Sequence, residues 1–173
     1  MTFEVTRRVT RSDNDAVGDL VTGICLIPGT IEFGYDPNRI IQKYEDGSTN
    51  VENDHLGDGN SDWKHALDQM EASLPNVNTV CFVVSWFGDD LRIGNCTLRP
   101  KVESQTKRTD PISWRVAGLT RGTAIVISQV NDRPAYGGAP NDVSVYRAIQ
   151  DLKSRGYEVM FYPFLVMDIP SDN

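Results

Sequence analysis

Histidine and cysteine are scarce in this chain, two and three respectively among 173 residues. Cys25, Cys81 and Cys96 are odd in number and show no CxxC spacing, which argues against a disulfide framework or a zinc site. His55 and His65 supply too little for a multi-histidine metal centre or a Ser-His-Asp triad. Basic residues are outnumbered, 17 Lys and Arg against 24 Asp and Glu, for a net charge of −7. With a pI near 4.8, no nucleic-acid groove is expected, because phosphate neutralisation needs clustered Lys and Arg. Long apolar runs are also missing, so no transmembrane span is expected. The opening MTFEVTRRVTRSDND has no apolar centre of the kind a secretion signal carries. No cofactor and no bound metal are expected.

What is present is organised around residues 78–100, NTVCFVVSWFGDDLRIGNCTLRP. Val80 to Trp86 is an unbroken apolar run, too short to span a membrane and suited to a strand buried on both faces. It stops at Phe87-Gly88-Asp89-Asp90, where glycine permits a sharp turn before two acids. Upstream, Ser61 is placed to cap a helix from Asp62 to about Leu74, with Trp63, Ala66, Leu67, Met70 and Leu74 on one stripe. Downstream, Thr123 to Val130 reads as a second β-branched run. A helix capped at Asn141 or Asp142 follows, with Val145, Ala148, Ile149 and Leu152 on its buried stripe and Gly156 as its stop. Tyr157 to Met167 is a third buried run, ending at Asp168. The order helix, strand, strand, helix, strand predicts an α/β fold with a mostly parallel sheet and right-handed crossovers.

The remainder is weaker in pattern. Thr2 to Thr10 alternates crudely and reads as an edge strand. A short helix is expected over residues 16–25, leading into an extended LIPGTIEF with a turn at Pro28-Gly29. Residues 35–60 read as a long surface excursion with a short extended segment at Arg39 to Tyr44. Residues 91–111 read as irregular and charged, and Trp114 to Leu119 as a short extended piece.

Four stretches, LPNVNTVCFVVSWFGDDLRIGNCTLRPKVE (74–103), Trp114 to Gly118, RPAYGGAPNDVSVYRAIQDLKSRGYEVMFYPFLVMDIP (133–170) and CLIPGTIEF (25–33), carry a resemblance to a known family. They resemble the TIM-barrel-like, glycoside-hydrolase-labelled domain of tail-tip (baseplate) proteins in gene transfer agents and siphophages. The resemblance implies a partial or complete (β/α) barrel over residues 16–173, its N-terminal part, with residues 1–15 the end of a preceding hub-type domain or a linker. It further implies a structural component of a virion tail tip, made in the host cytoplasm, that meets other tail proteins and further copies of itself and can contact a host surface glycan. The alternative it carries is a glycoside hydrolase of cell-wall or surface glycans.

Candidate site residues follow from position. Asp89, Asp90 and Asp168 sit at strand ends, where paired carboxyls could act in sugar hydrolysis; equally, each could cap a turn by accepting backbone amides. Trp86, Phe87, Tyr136 and Tyr162 could stack on sugar rings, although aromatics in apolar runs commonly pack in the core. Gly137-Gly138 before a helix is a weak anion-turn signal against the plainer reading of a tight turn. Asp58-x-Asn60-x-Asp62 imitates the start of a calcium loop, but Trp63 and Gln69 stand where Gly and Glu are needed. Arg92, Arg99, Lys101, Lys107 and Arg108 form a basic cluster open to an anionic partner or to solvent.

Overall fold

A computed structural model describes residues 17–27 and 32–169. The edge strand expected at Thr2 to Thr10, the proposed 1–15 segment and the Pro28-Gly29 turn lie outside the described residues. In chain order the elements are α1 (Val17–Leu20), β1 (Gly23–Leu26), β2 (Ile41–Lys43), β3 (Thr49–Val51), α2 (Asp62–Ser73) and β4 (Thr79–Gly88). There follow β5 (Leu98–Arg99), β6 (Lys101–Val102), β7 (Arg108–Asp110), β8 (Arg115–Val116), β9 (Leu119–Thr120) and β10 (Ile125–Val126). The last are β11 (Gln129–Val130), β12 (Arg133–Pro134), α3 (Asp142–Ser154) and β13 (Glu158–Met167).

The central run forms β4, with β1 and β13 parallel on either side of it. Alternation along β4 sends Val80, Phe82 and Val84 to one face, where α2 and α3 pack over them. Ser61 caps α2 through its side chain, which accepts from the Lys64 amide at 3.4 Å. Trp63, Leu67 and Met70 of α2 and Ala148 and Leu152 of α3 complete this core. Tyr35 wedges between the layers, its ring 4.1 Å from that of Phe82 and 5.6 Å from that of Trp63. Its hydroxyl donates to the Val83 carbonyl. The indole of Trp63 donates to Asp151 at 2.7 Å and so ties one helix to the other.

A second core lies beyond the carboxyl end of β4. Phe87 meets Phe33, Ile40, Val102, Trp114, Val116, Ala124, Ile127 and Ala139 there. Its walls are loops and very short strands: the antiparallel sheet β3-β2-β7, the hairpins β8-β9 and β11-β12, and the pair β10-β6. The two hairpins turn tightly through left-handed backbone, at Ala117 (φ 50°) and Gly118 (φ 81°) and at Asn131 (φ 52°) and Asp132 (φ 59°). Positive φ at both central residues matches the right-handed twist of the flanking strands.

The expected fold is therefore corrected. The described residues form several small antiparallel and mixed sheets with three helices, not an α/β barrel of mostly parallel strands, and the TIM-barrel-like family reading falls with it. The physical reason is local. Adjacent parallel strands need a crossover, usually helical, yet residues 89–141 contain no helix. The run 123–130 is not one strand: Ile127 turns into the second core and Ser128 leaves the ladder, which splits it into β10 and β11. The run 157–167 does form β13, but most of it is exposed rather than buried. The helix expected over 16–25 is four residues long, and GICL becomes β1 instead.

Candidate functional site

The three strand-end carboxylates are brought to one end of the sheet by register. Met167 lies opposite Gly88, and the Asp168 amide donates to the Gly88 carbonyl at 2.9 Å. A side chain at position 88 would press on Met167 and Cys96, at 2.9–3.0 Å from their sulfurs, so glycine permits this close approach.

Each carboxylate is held by its own partners. Lys101 Nζ donates to Asp168 Oδ2 at 2.7 Å and to the Asp168 carbonyl at 3.0 Å. The Ser128 amide reaches the same carboxylate at 3.2 Å. Lys101 is 5% exposed and Asp168 2%. Burial alone would raise the Asp168 pKa; the hydrogen bonds from Lys101 and Ser128 and the ammonium charge outweigh it and hold it below the ordinary aspartate value. Asp90 is forked by Arg92, with Nε at 2.9 Å from Oδ1 and an amino nitrogen at 2.6 Å from Oδ2, and it also accepts the Arg92 amide. Asp89 accepts the Thr97 amide at 2.6 Å. A glycosidase general acid must keep its proton near neutral pH. Asp168 is shifted the other way.

The candidate aromatics do not converge. Trp86 and Tyr162 belong to opposite faces, because Tyr162 is the register partner of Val83 and Leu165 that of Trp86. Trp86 lines a cleft of about 340 Å³ with Val84, Leu98, Val145, Phe161 and Leu165. Tyr162 lines another of about 280 Å³ with Cys25, Ile27, Cys81, Val83 and Phe164. Tyr136 is half-exposed, its ring 6.3 Å from that of Phe87, which is buried in the second core.

The basic cluster is largely neutralised from within. Lys101 and Arg92 are paired as described. Lys107 donates to Glu103 at 2.5 Å and to Glu52 at 3.0 Å, with Glu32 at 3.9 Å. Burial would lower the Lys107 pKa, but the three glutamates raise it. Arg121 forks the fully buried Glu32 and donates to the Ser104 carbonyl at 2.9 Å. Burial pushes the Glu32 pKa up, against the opposing pull of Arg121. This network of Glu32, Glu52, Glu103, Lys107 and Arg121 was missed in the sequence, since Glu32 and Arg121 stand 89 residues apart. Gly138 closes over it: a Cβ there would overlap the Glu32 side chain. Gly138 thus serves close packing against a carboxylate of the chain itself.

The calcium-like loop is used internally as well. Asp58 accepts from the Asn60 amide at 2.9 Å and meets His65 at 3.0 Å, and Asp62 meets His55 at 2.6 Å. No group of three or more His, Cys, Asp or Glu side chains that could hold a metal occurs among the described residues. No described helix is long and apolar enough to cross a membrane. Compared with known proteins, the chain matches no protein-family model and no curated sequence.

The exposed apolar surface is concentrated elsewhere. β13 ends the sheet order β1-β4-β13, and among the described strands only β4 pairs with it. Met160, Phe161, Tyr162, Phe164 and Leu165 of that strand are each about half exposed, between 47% and 58%. They occupy both faces of the strand.

Proposed function

We propose that this chain is a structural component of a multi-copy assembly, completed along β13 by a further copy of itself, and that it is not a free-standing catalyst. The observation that carries this is the two-faced apolar edge of β13, which no described strand other than β4 pairs. Five large side chains of roughly 200 Å², half exposed, offer about 500 Å². That is at the upper end of the largest patch on an ordinary monomer, about 300–600 Å², and more than half of the roughly 800 Å² per partner in a standard interface. Edge strands that are not meant to pair are normally short, charged or covered. β13 has ten residues, and after Glu158 none is charged. Pro163 breaks one ladder position without interrupting the apolar run.

The setting we favour is a phage or gene-transfer-agent tail tip, made in the host cytoplasm and built in beside other tail proteins. A symmetric tail tip would supply the further copies that the β13 edge calls for. Contact with a host surface glycan would fall to Tyr136, which is exposed and lies off the β13 edge. The hydrolase alternative gains no support from three carboxylates that are each engaged by the fold.

Size-exclusion chromatography with light scattering tests this on the full chain. Wild type should associate in a concentration-dependent way, and Phe161→Lys with Leu165→Lys should give a monomer with an unchanged circular dichroism spectrum. A wild-type chain that stays monomeric at high concentration would sink the proposal.

A further inference from the structure

The strands bring together two thiols that are far apart in sequence. Cys25 on β1 and Cys81 on β4 are direct partners in the parallel register. Register partners in a sheet point to the same face, here the one opposite the helices, and both sulfurs line the apolar cleft with Ile27, Val83, Tyr162 and Phe164. Cys25 is exposed, Cys81 is partly buried, and neither is bonded to another cysteine. Burial first, and the neighbouring Cys25 thiol second, push the Cys81 thiol pKa up. Neighbouring strands run about 4.8 Å apart, inside the roughly 4.4–6.8 Å Cα separation that a disulfide bridges.

We propose that Cys25 and Cys81 form a reversible disulfide site, closed by exchange with a small-molecule disulfide such as oxidised glutathione. Cys25 reacts first because it is the more accessible. Its thiolate attacks one sulfur of the small disulfide, whose S–S bond breaks and releases one thiolate. The Cys81 thiolate then attacks the Cys25 sulfur and expels the second. Two protons pass from the cysteines to the two released thiols. The protein pair is oxidised by two electrons and the small disulfide is reduced to two thiols. The product bolts the short strand β1 to the centre of the sheet. Cys96 has no such partner: it sits at the far end of β4 against Gly88.

The test uses the full, folded, reduced chain equilibrated in glutathione buffers from reducing to oxidising, with free thiols trapped by alkylation and peptides mapped by mass. Expected are a Cys25–Cys81 linked peptide that is lighter by two hydrogens and keeps no glutathione, an alkylated Cys96, and full recovery of thiols on reduction. Cys96→Ser should oxidise like wild type, and Cys25→Ser should leave Cys81 unlinked. Separate glutathione adducts on Cys25 and Cys81, linkage through Cys96, linkage between chains, or unreacted thiols in the most oxidising buffer would each overturn the assignment.

Discussion

Replacing Lys101 by Met should be the most damaging single polar substitution at the end of β4. The ammonium is 5% exposed and is the only cation bonded to Asp168 among the described residues, Asp168 itself being 2% exposed. Removing one partner of a buried pair leaves an uncompensated charge, at about 3–5 kcal/mol. Against a total stability of roughly 5–15 kcal/mol, that is a large fraction. At about 2–4 °C per kcal/mol for a chain of this size, the melting temperature should fall by about 6–20 °C. Urea unfolding followed by circular dichroism, with the slope unchanged, is the assay. The double variant Lys101→Met, Asp168→Leu should recover most of the loss, because a matched apolar pair avoids both desolvation penalties. The same pair sets an acid limb. The folded-state pKa of Asp168 lies below its unfolded value near 3.8, so its contribution is present above that value and disappears as pH falls through the folded pKa. Asp168→Asn should flatten stability against pH below about 4. A loss under about 1 kcal/mol for Lys101→Met would refute the reasoning, because it would mean that the ammonium and carboxylate are effectively solvated.

Two further substitutions probe backbone constraints. Ala117→Asn should stabilise the β8-β9 hairpin by about 0.5–1 kcal/mol, since Asn tolerates the left-handed backbone that alanine holds at a cost; an unchanged or lower melting temperature would count against it. Gly138→Ala should cost about 1–3 kcal/mol by overpacking, because Glu32 is pinned by Arg121 and the Glu103 amide and has little room to yield. A neutral result in thermal unfolding would show that the Glu32 network is loose.

Legibility in the sequence followed periodicity. The stripe from Trp63 to Met70 and the cap at Ser61 define α2, and the apolar run around Val83 defines β4. The helix stripe ending at Leu152, with its stop at Gly156 (φ 90°), is equally plain. Asn141 is more instructive. It stands at the cap position of α3, yet its side chain makes no cap bond and instead accepts the Arg115 amide at 2.8 Å, binding the second core to the helix. Two-residue pairings such as β6-β10 have no period to detect, so residues 91–111, which contain β6, read as irregular. The inference of a parallel barrel failed there because a β-branched run such as 123–130 looks the same whether it continues as a strand or dives into a core at Ile127. The carboxylates were located correctly at strand ends, but whether each faced a cation or open solvent depended on Lys101, Arg92 and Thr97, and composition gives no hint of those pairings. Likewise, Cys25 and Cys81 become neighbours only through the β1-β4 register.

The buried charges at the strand ends hold the second core to the sheet. β4 runs through both cores: Val80, Phe82 and Val84 lie under the helices, and Phe87 lies in the loop-built core. Among the described residues the second core has no helix of its own to hold it against the sheet, so directional bonds take that part. Lys101 fastens β6 to the end of β13, the Ser128 amide fastens the 123–130 segment to the same carboxylate, and Thr97 fastens the approach to β5 onto Asp89. A carboxylate engaged in this way would have to abandon its partner to take part in proton transfer, at a cost comparable to losing the pair. The apolar edge of β13 and the open sheet face carry no such commitments. If that division holds, the Lys101→Met, Asp168→Leu variant should be folded and should still associate through β13, whereas the Phe161→Lys, Leu165→Lys variant should be equally stable and not associate.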